Sequence, residues 1–199
     1  MAAPNKRGRL TRTAMRRLRI PTEKLPGEVA RYEKILTTYW KADVRHDPIF
    51  QRLFNGFYQV RRGSEWREHF YRVLEELKNS EQTFGQVLQD LFKSTGRIEA
   101  SFASKALATR YPEQPIIDKW VRKFLQREAN LRLLPGVDRI ERWMQFHDQM
   151  AQWYRSFGSS PDCLKCIRRF DEICPGRSVC DLKKLDFVIY ITQGNISLL

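Results

Sequence analysis

The sequence predicts an all-α protein, and three observations carry that reading. Apolar residues recur at spacings of three and four through successive segments, which is the period of one helix face. Cap and stop residues bracket those segments, among them Asp47-Pro48, Ser64, Thr83 and Gly96. No alternating apolar–polar run of strand length separates them. Together they predict a compact body of roughly eight to ten helices around one core.

Taken in order, residues 1–26 form a basic N-terminal arm, expected to be partly disordered, and residues 27–199 form one helical domain, with two lobes and a cleft between them as a variant. Pro21 to Glu28 reads as the joint. "EVARYEKILTTYWKAD" then places Val29, Tyr32, Ile35, Leu36, Tyr39 and Trp40 on one wide stripe. Asp47-Pro48 opens a helix whose apolar face is Ile49, Phe50, Leu53, Phe54, Phe57 and Tyr58. Gly63 ends it, and Ser64 is expected to cap "EWREHFYRVLEELKN". A further helix runs from a Thr83 cap to a Gly96 stop, and another covers Ser101 to Thr109. Two prolines turn the chain into "DKWVRKFLQREANL". After a Pro135-Gly136 turn, "VDRIERWMQFHDQMAQWYRSF" carries Val137, Ile140, Trp143, Met144, Met150 and Tyr154 on its stripe. Gly158 to Pro161 is read as a loop, and "FVIYITQ" as a strand or the end of a buried helix.

Charge narrows the partner. Lys and Arg number 36 against 23 acids, a net charge of +13, which favours a polyanion and nucleic acid first. A hydrophobic content of 42% is globular rather than disordered. An anionic membrane is the second candidate for that charge, but no stretch approaches the roughly 20 uncharged apolar residues of a membrane span, and the partner expected is double-stranded DNA with no membrane. The arm holds Lys6, Arg7, Arg9, Arg12, Arg16, Arg17 and Arg19 with no acid before Glu23, suited to lying along phosphates. It has no apolar core of a secretory signal; a mitochondrial presequence has a similar composition, and the default is a cytoplasmic, nucleoid-associated protein acting as a monomer.

The stretch "SFASKALATRYPEQPIID", Ser101 to Asp118, holds the chemistry. On a helix over Ser101 to Thr109, Ile98, Phe102, Ala103, Ala106 and Leu107 point inward and Lys105 falls on the margin of that stripe. A lysine at the rim of an apolar groove loses solvation, which favours the nucleophilic neutral amine. Asp118 stands at the start of the next helix, where a carboxylate caps free amides. Read singly, Lys105 is also compatible with a solvated surface charge and Asp118 with a plain N-cap.

Ser101-Phe102-Ala103-Ser104-Lys105 and Pro115-Ile116-Ile117-Asp118-Lys119-Trp120-Val121 resemble the helix-hairpin-helix DNA glycosylases, in the style of the archaeal 8-oxoguanine branch. Those enzymes have a Gly-x-Gly-x-Lys hairpin and a P-x-D-x-x-V segment; here Ser101 and Ala103 replace the glycines, so the hairpin element is divergent. The resemblance implies a glycosylase-like fold and excision of a damaged or modified base from double-stranded DNA, in repair or in defence against modified foreign DNA. It implies Asp118 as the group stabilising the cationic sugar, and Lys105 as a Schiff-base nucleophile for an associated lyase activity. It also implies that Ser101 and Ser104, where those enzymes have their hairpin, contact DNA.

"NGFYQVRRGSEW" reads as a DNA-contacting segment, in which Gln59 replaces base hydrogen bonds, Arg61 and Arg62 engage phosphates, and Tyr58 stacks. Arg97 joins them as a cleft-lining cation, and Trp120 is either a wall of the base pocket or core. No metal is required by this chemistry. Clustering of Cys163, Cys166, Cys174 and Cys180 leaves an iron–sulfur cluster or zinc as the alternative, and buried core thiols as another. Two other functions stay open: a helical DNA-binding protein without catalysis, and a helical toxin or RNA-binding module.

Overall fold

The computed structural model describes residues 23–135 and 138–196, the side chains of residues 193–196 excepted. The basic arm over residues 1–22, and the expectations for Gly136 and Val137, lie outside the described residues. Among the described residues the fold is all-helical, with nine α-helices and one 3-10 turn and no strand. They are α1 (Leu25–Lys41), α2 (Pro48–Tyr58), α3 (Ser64–Glu76), α4 (Phe84–Thr95), α5 (Ala100–Arg110), α6 (Lys119–Glu128), α7 (Arg139–Gly158), α8 (Pro161–Ile173) and α9 (Asp181–Ile196). The 3-10 turn, Leu77–Asn79, continues α3.

Local chemistry explains most boundaries. Asp47 accepts from the Phe50 amide and Pro48 sits in the first turn of α2. Thr83 and Gln86 form a reciprocal capping box on α4, which ends at Gly96 with φ of 64°. Four expectations shift. The helix of α1 begins at Leu25, because Pro26 fits the first turn and extends the helix through the expected joint. Gly63, not Ser64, is the cap of α3, and no side chain caps it. The expected loop at Gly158 shrinks to Ser159 and Ser160, with Ser160 capping α8 through the Cys163 amide. The segment read as strand or helix is helix, within α9.

A continuous set of buried side chains runs from Leu25 in α1 to Ile191 in α9. The expected faces hold with two exceptions: Trp40 and Ile49 are 52% and 60% exposed. Trp40 instead lies under the Arg110 guanidinium, 4.8 Å from its ring centroid. Helix α5 is packed between α4 and α1, and α9 closes the body against α6, α8, α1 and α7. Every residue of α5 from Ala103 to Thr109 is buried. Small Ala and Ser side chains let neighbouring helices approach from several sides.

The turn Gly96 to Glu99 joins α4 to α5. Ser101 and Ala103, which the resemblance aligns with hairpin glycines, lie inside α5. Neither needs a positive φ, so the absence of glycine there costs nothing.

Candidate functional site

A cavity of about 250 Å³ opens between α1, α2, α5, α6 and α9. Its walls bring together five of the residues singled out in the sequence: Tyr58, Gln59, Lys105, Asp118 and Trp120. Each arrives by a separate local device. Tyr58 is the last residue of α2 and Gln59 its left-handed C-cap, with φ of 52°. The Gln59 side chain bonds the Gly56 carbonyl at 2.8 Å. Lys105 lies mid-way along α5, and Asp118 caps α6 by accepting from the Trp120 amide at 2.7 Å. Asp118 is therefore both the N-cap and a cavity-lining carboxylate, since the Trp120 bond takes only Oδ1.

One side chain couples the two charged residues. The Ser104 hydroxyl donates to the Ser101 carbonyl and accepts from the Ile117 amide, both at 2.9 Å. Ser104 immediately precedes Lys105, and Ile117 immediately precedes Asp118, so this bond fixes the loop carrying the carboxylate against the helix carrying the amine. Ser104 is thereby corrected from an expected DNA contact: it is fully buried and bonds only its own fold.

Lys105 differs from the margin position read in the sequence, being only 7% exposed. Burial pushes its ammonium pKa down, with Asp118 and then Glu99 opposing that shift. Its Nζ lies 5.0 Å from the Phe102 centroid and 5.4 Å from that of Tyr58, and makes no hydrogen bond among the described residues. The Tyr58 hydroxyl lies beside that of Thr109 without forming a full hydrogen bond, and burial raises its pKa.

The arginines are elsewhere. None of Arg61, Arg62 and Arg97 lines the cavity that Lys105 and Asp118 share. Arg62 pairs with the buried Glu99 at 2.9 Å and spans the rings of Trp66 and Phe102. Its Nη2 is thus engaged by Glu99, while the side chain keeps 34% exposure. Arg61 and Arg97 are exposed, while Ser101 is half-buried near the N-terminus of α5. Besides the buried Lys105, exposed Lys119, which lines the cavity, and exposed Lys123 lie beside the Trp120 ring at 4.7 and 5.2 Å.

Sequence reasoning missed the inner wall. Tyr32 of α1 and Lys183, Asp186, Phe187 and Tyr190 of α9 complete the cavity. Lys183 and Asp186 are 2% and 5% exposed and form an ion pair at 2.9 Å. The second oxygen of Asp186 accepts from the Tyr154 hydroxyl. The available signal was a lysine and an aspartate three residues apart on the apolar segment "KKLDFVIYI". Such charges are rarely fully buried unless paired.

The cysteines give no metal centre among the described residues, where no group of three or more His, Cys, Asp or Glu side chains is arranged to hold one. Cys163 and Cys166 face the core from α8, and burial pushes their thiols up to about 12 and about 11. Cys180 is exposed, with its sulfur 3.3 Å from the Pro112 carbonyl. No described helix is long and apolar enough to cross a membrane. Comparison of the chain with protein-family models, curated proteins and solved structures gave no match in any of the three.

Proposed function

We propose that this protein is a DNA N-glycosylase that takes a damaged or modified base into the cavity and cleaves its glycosidic bond. The observation that carries the reading is a desolvated amine and a carboxylate on one aromatic-walled cavity, Lys105 and Asp118, in a chain of net charge +13. A base inside a duplex is out of reach, so the target nucleotide must leave the stack. Phe57, Trp120 and Tyr190 offer flat surfaces to receive it.

As the glycosidic bond breaks, its electron pair leaves with the base and positive charge develops on the sugar. The Asp118 oxygen left free by the cap bond stabilises that charge. In the hydrolytic route Asp118 also takes a proton from the attacking water. In the lyase route neutral Lys105 attacks the sugar carbon, the base departs, and loss of the amine proton and ring opening give a Schiff base that leads to strand cleavage. The depressed lysine pKa supports the second route. Exposed Arg61 and Arg97 and the lysines beside Trp120 supply phosphate contacts.

The test uses the full chain and duplexes carrying single lesions or modified cytosines, scored for abasic sites. Asp118→Asn retains a capping side chain and is expected to lose about 10²-fold or more of base release with little loss of stability. Borohydride trapping is expected to disappear in Lys105→Ala. DNA binding without base release, unchanged in Asp118→Asn, would instead identify a helical DNA-binding protein without catalysis.

A further inference from the structure

We propose, on the basis of the glycosylase reading, that the cavity selects a base that turns carbonyl oxygens toward its inner wall, and that Lys183 and Tyr32 are the donors that recognise them. Lys183 carries three N–H donors and no acceptor. One donor goes to Asp186 at 2.9 Å, and no other hydrogen bond to its ammonium is found among the described residues. The side chain is 3% exposed, so its remaining donors are shielded from bulk water while the residue lines the cavity. Unpaired buried donors of this kind are costly unless a bound group satisfies them.

Tyr32 has the same deficit. Its hydroxyl is buried and has no hydrogen-bond partner among the described residues, and the residue also lines the cavity. Burial, reinforced by nearby Tyr58, raises its pKa well above the ordinary value, so the phenol keeps its proton. Tyr32 can donate or accept, whereas Lys183 can only donate, and Lys183 therefore sets the sign of the preference.

The carboxylate beside Lys183 has no oxygen to spare. Both Asp186 oxygens are engaged, one by Lys183 and one by the Tyr154 hydroxyl, which makes Asp186 a brace for the lysine. A carbonyl edge pairs with the open donors. An amino group in the same place sets N–H against N–H and leaves the ammonium unsatisfied, a mismatch that sites built on hydrogen bonds reject strongly.

The experiment takes the full chain and two matched pairs, hypoxanthine against adenine and uracil against cytosine. Free bases are titrated by quenching of tryptophan fluorescence, since Trp120 lines the cavity, and the same four bases in duplexes are scored for release. The carbonyl member of each pair is expected to be favoured about tenfold or more. Tyr32→Phe removes a hydroxyl on which no described bond depends, so it should fold normally. The double variant Lys183→Met/Asp186→Asn removes both charges together and keeps an acceptor for Tyr154.

The double variant is expected to shrink the preference several-fold, Tyr32→Phe to weaken binding of the carbonyl bases several-fold, and both to leave melting within a few degrees. Full preference retained in the double variant, with binding unchanged in Tyr32→Phe, would overturn the assignment of the donors. Release favouring adenine and cytosine would overturn the carbonyl rule while leaving the glycosylase reading intact. Preferred binding of hypoxanthine and uracil with no release from any duplex would keep the rule and defeat that reading. Neither binding nor release would defeat both.

Discussion

Replacing Ser104 by alanine tests the link between the two candidate catalytic residues. The substitution removes one oxygen and adds no volume, so the helix itself is undisturbed. It leaves the Ile117 amide, on a residue 3% exposed, without the acceptor it now finds at 2.9 Å. The Ser101 carbonyl remains within the bonding pattern of α5. Stranding one buried donor costs about 1–3 kcal/mol. For a chain of this length each kcal/mol lowers the melting temperature by about 2–4 °C, so Ser104→Ala is expected to melt about 2–12 °C lower. Circular dichroism melts at neutral pH give the number, with Ser101→Ala as the control because its side chain makes no such bond. Base release should fall further than stability, because Asp118 is the next residue after the freed amide. An unchanged melt, or a melt lowered equally in Ser101→Ala, would refute the view that Ser104 fixes the Asp118 loop.

Two further outcomes follow from buried charges. Asp186→Ala leaves the Lys183 ammonium buried and unpaired and is expected to cost about 3–5 kcal/mol, whereas joint replacement of Lys183 and Asp186 by methionine and leucine should recover much of that loss; urea titrations of the two variants decide it. His147, 3% exposed and stacked on Phe84, is held neutral by burial, its pKa lowered to about 4, with the Pro115 carbonyl opposing the shift. The unfolded imidazole takes its proton near pH 6.5 and the folded one only near 4, so this stabilisation is whole above 6.5 and is lost on acidification between those values, by about 3 kcal/mol in all. Denaturation at pH 7 and pH 4, with and without His147→Phe, measures it: the variant should lose less stability on acidification.

Much of the fold was legible because helix boundaries are decided within a few residues. Asp47, Thr83, Gly96 and Asp118 each satisfy or end a helix through backbone groups no more than four residues away, and the sequence alone places all four correctly. The same locality made Asp118 readable both as a cap and as a candidate carboxylate. The amine was harder. Helix α5 is built of alanine, serine and threonine on nearly every side, so its sequence gives almost no preferred face. Where Lys105 points depends on which helices arrive beside it.

Those helices come from the ends of the described chain. Tyr32 of α1 and Lys183 and Asp186 of α9 meet Lys105 only after the core has closed. The Arg62–Glu99 ion pair likewise joins residues 37 positions apart. The sequence by itself determined the helices, their caps and the Ser101–Asp118 stretch, because hydrogen bonds between near neighbours set them. Only the tertiary structure decided that the lysine is desolvated, that it shares a cavity with Asp118, and that a buried ion pair forms the inner wall. Burial and charge pairing arise between residues far apart in the chain, and no local pattern encodes them.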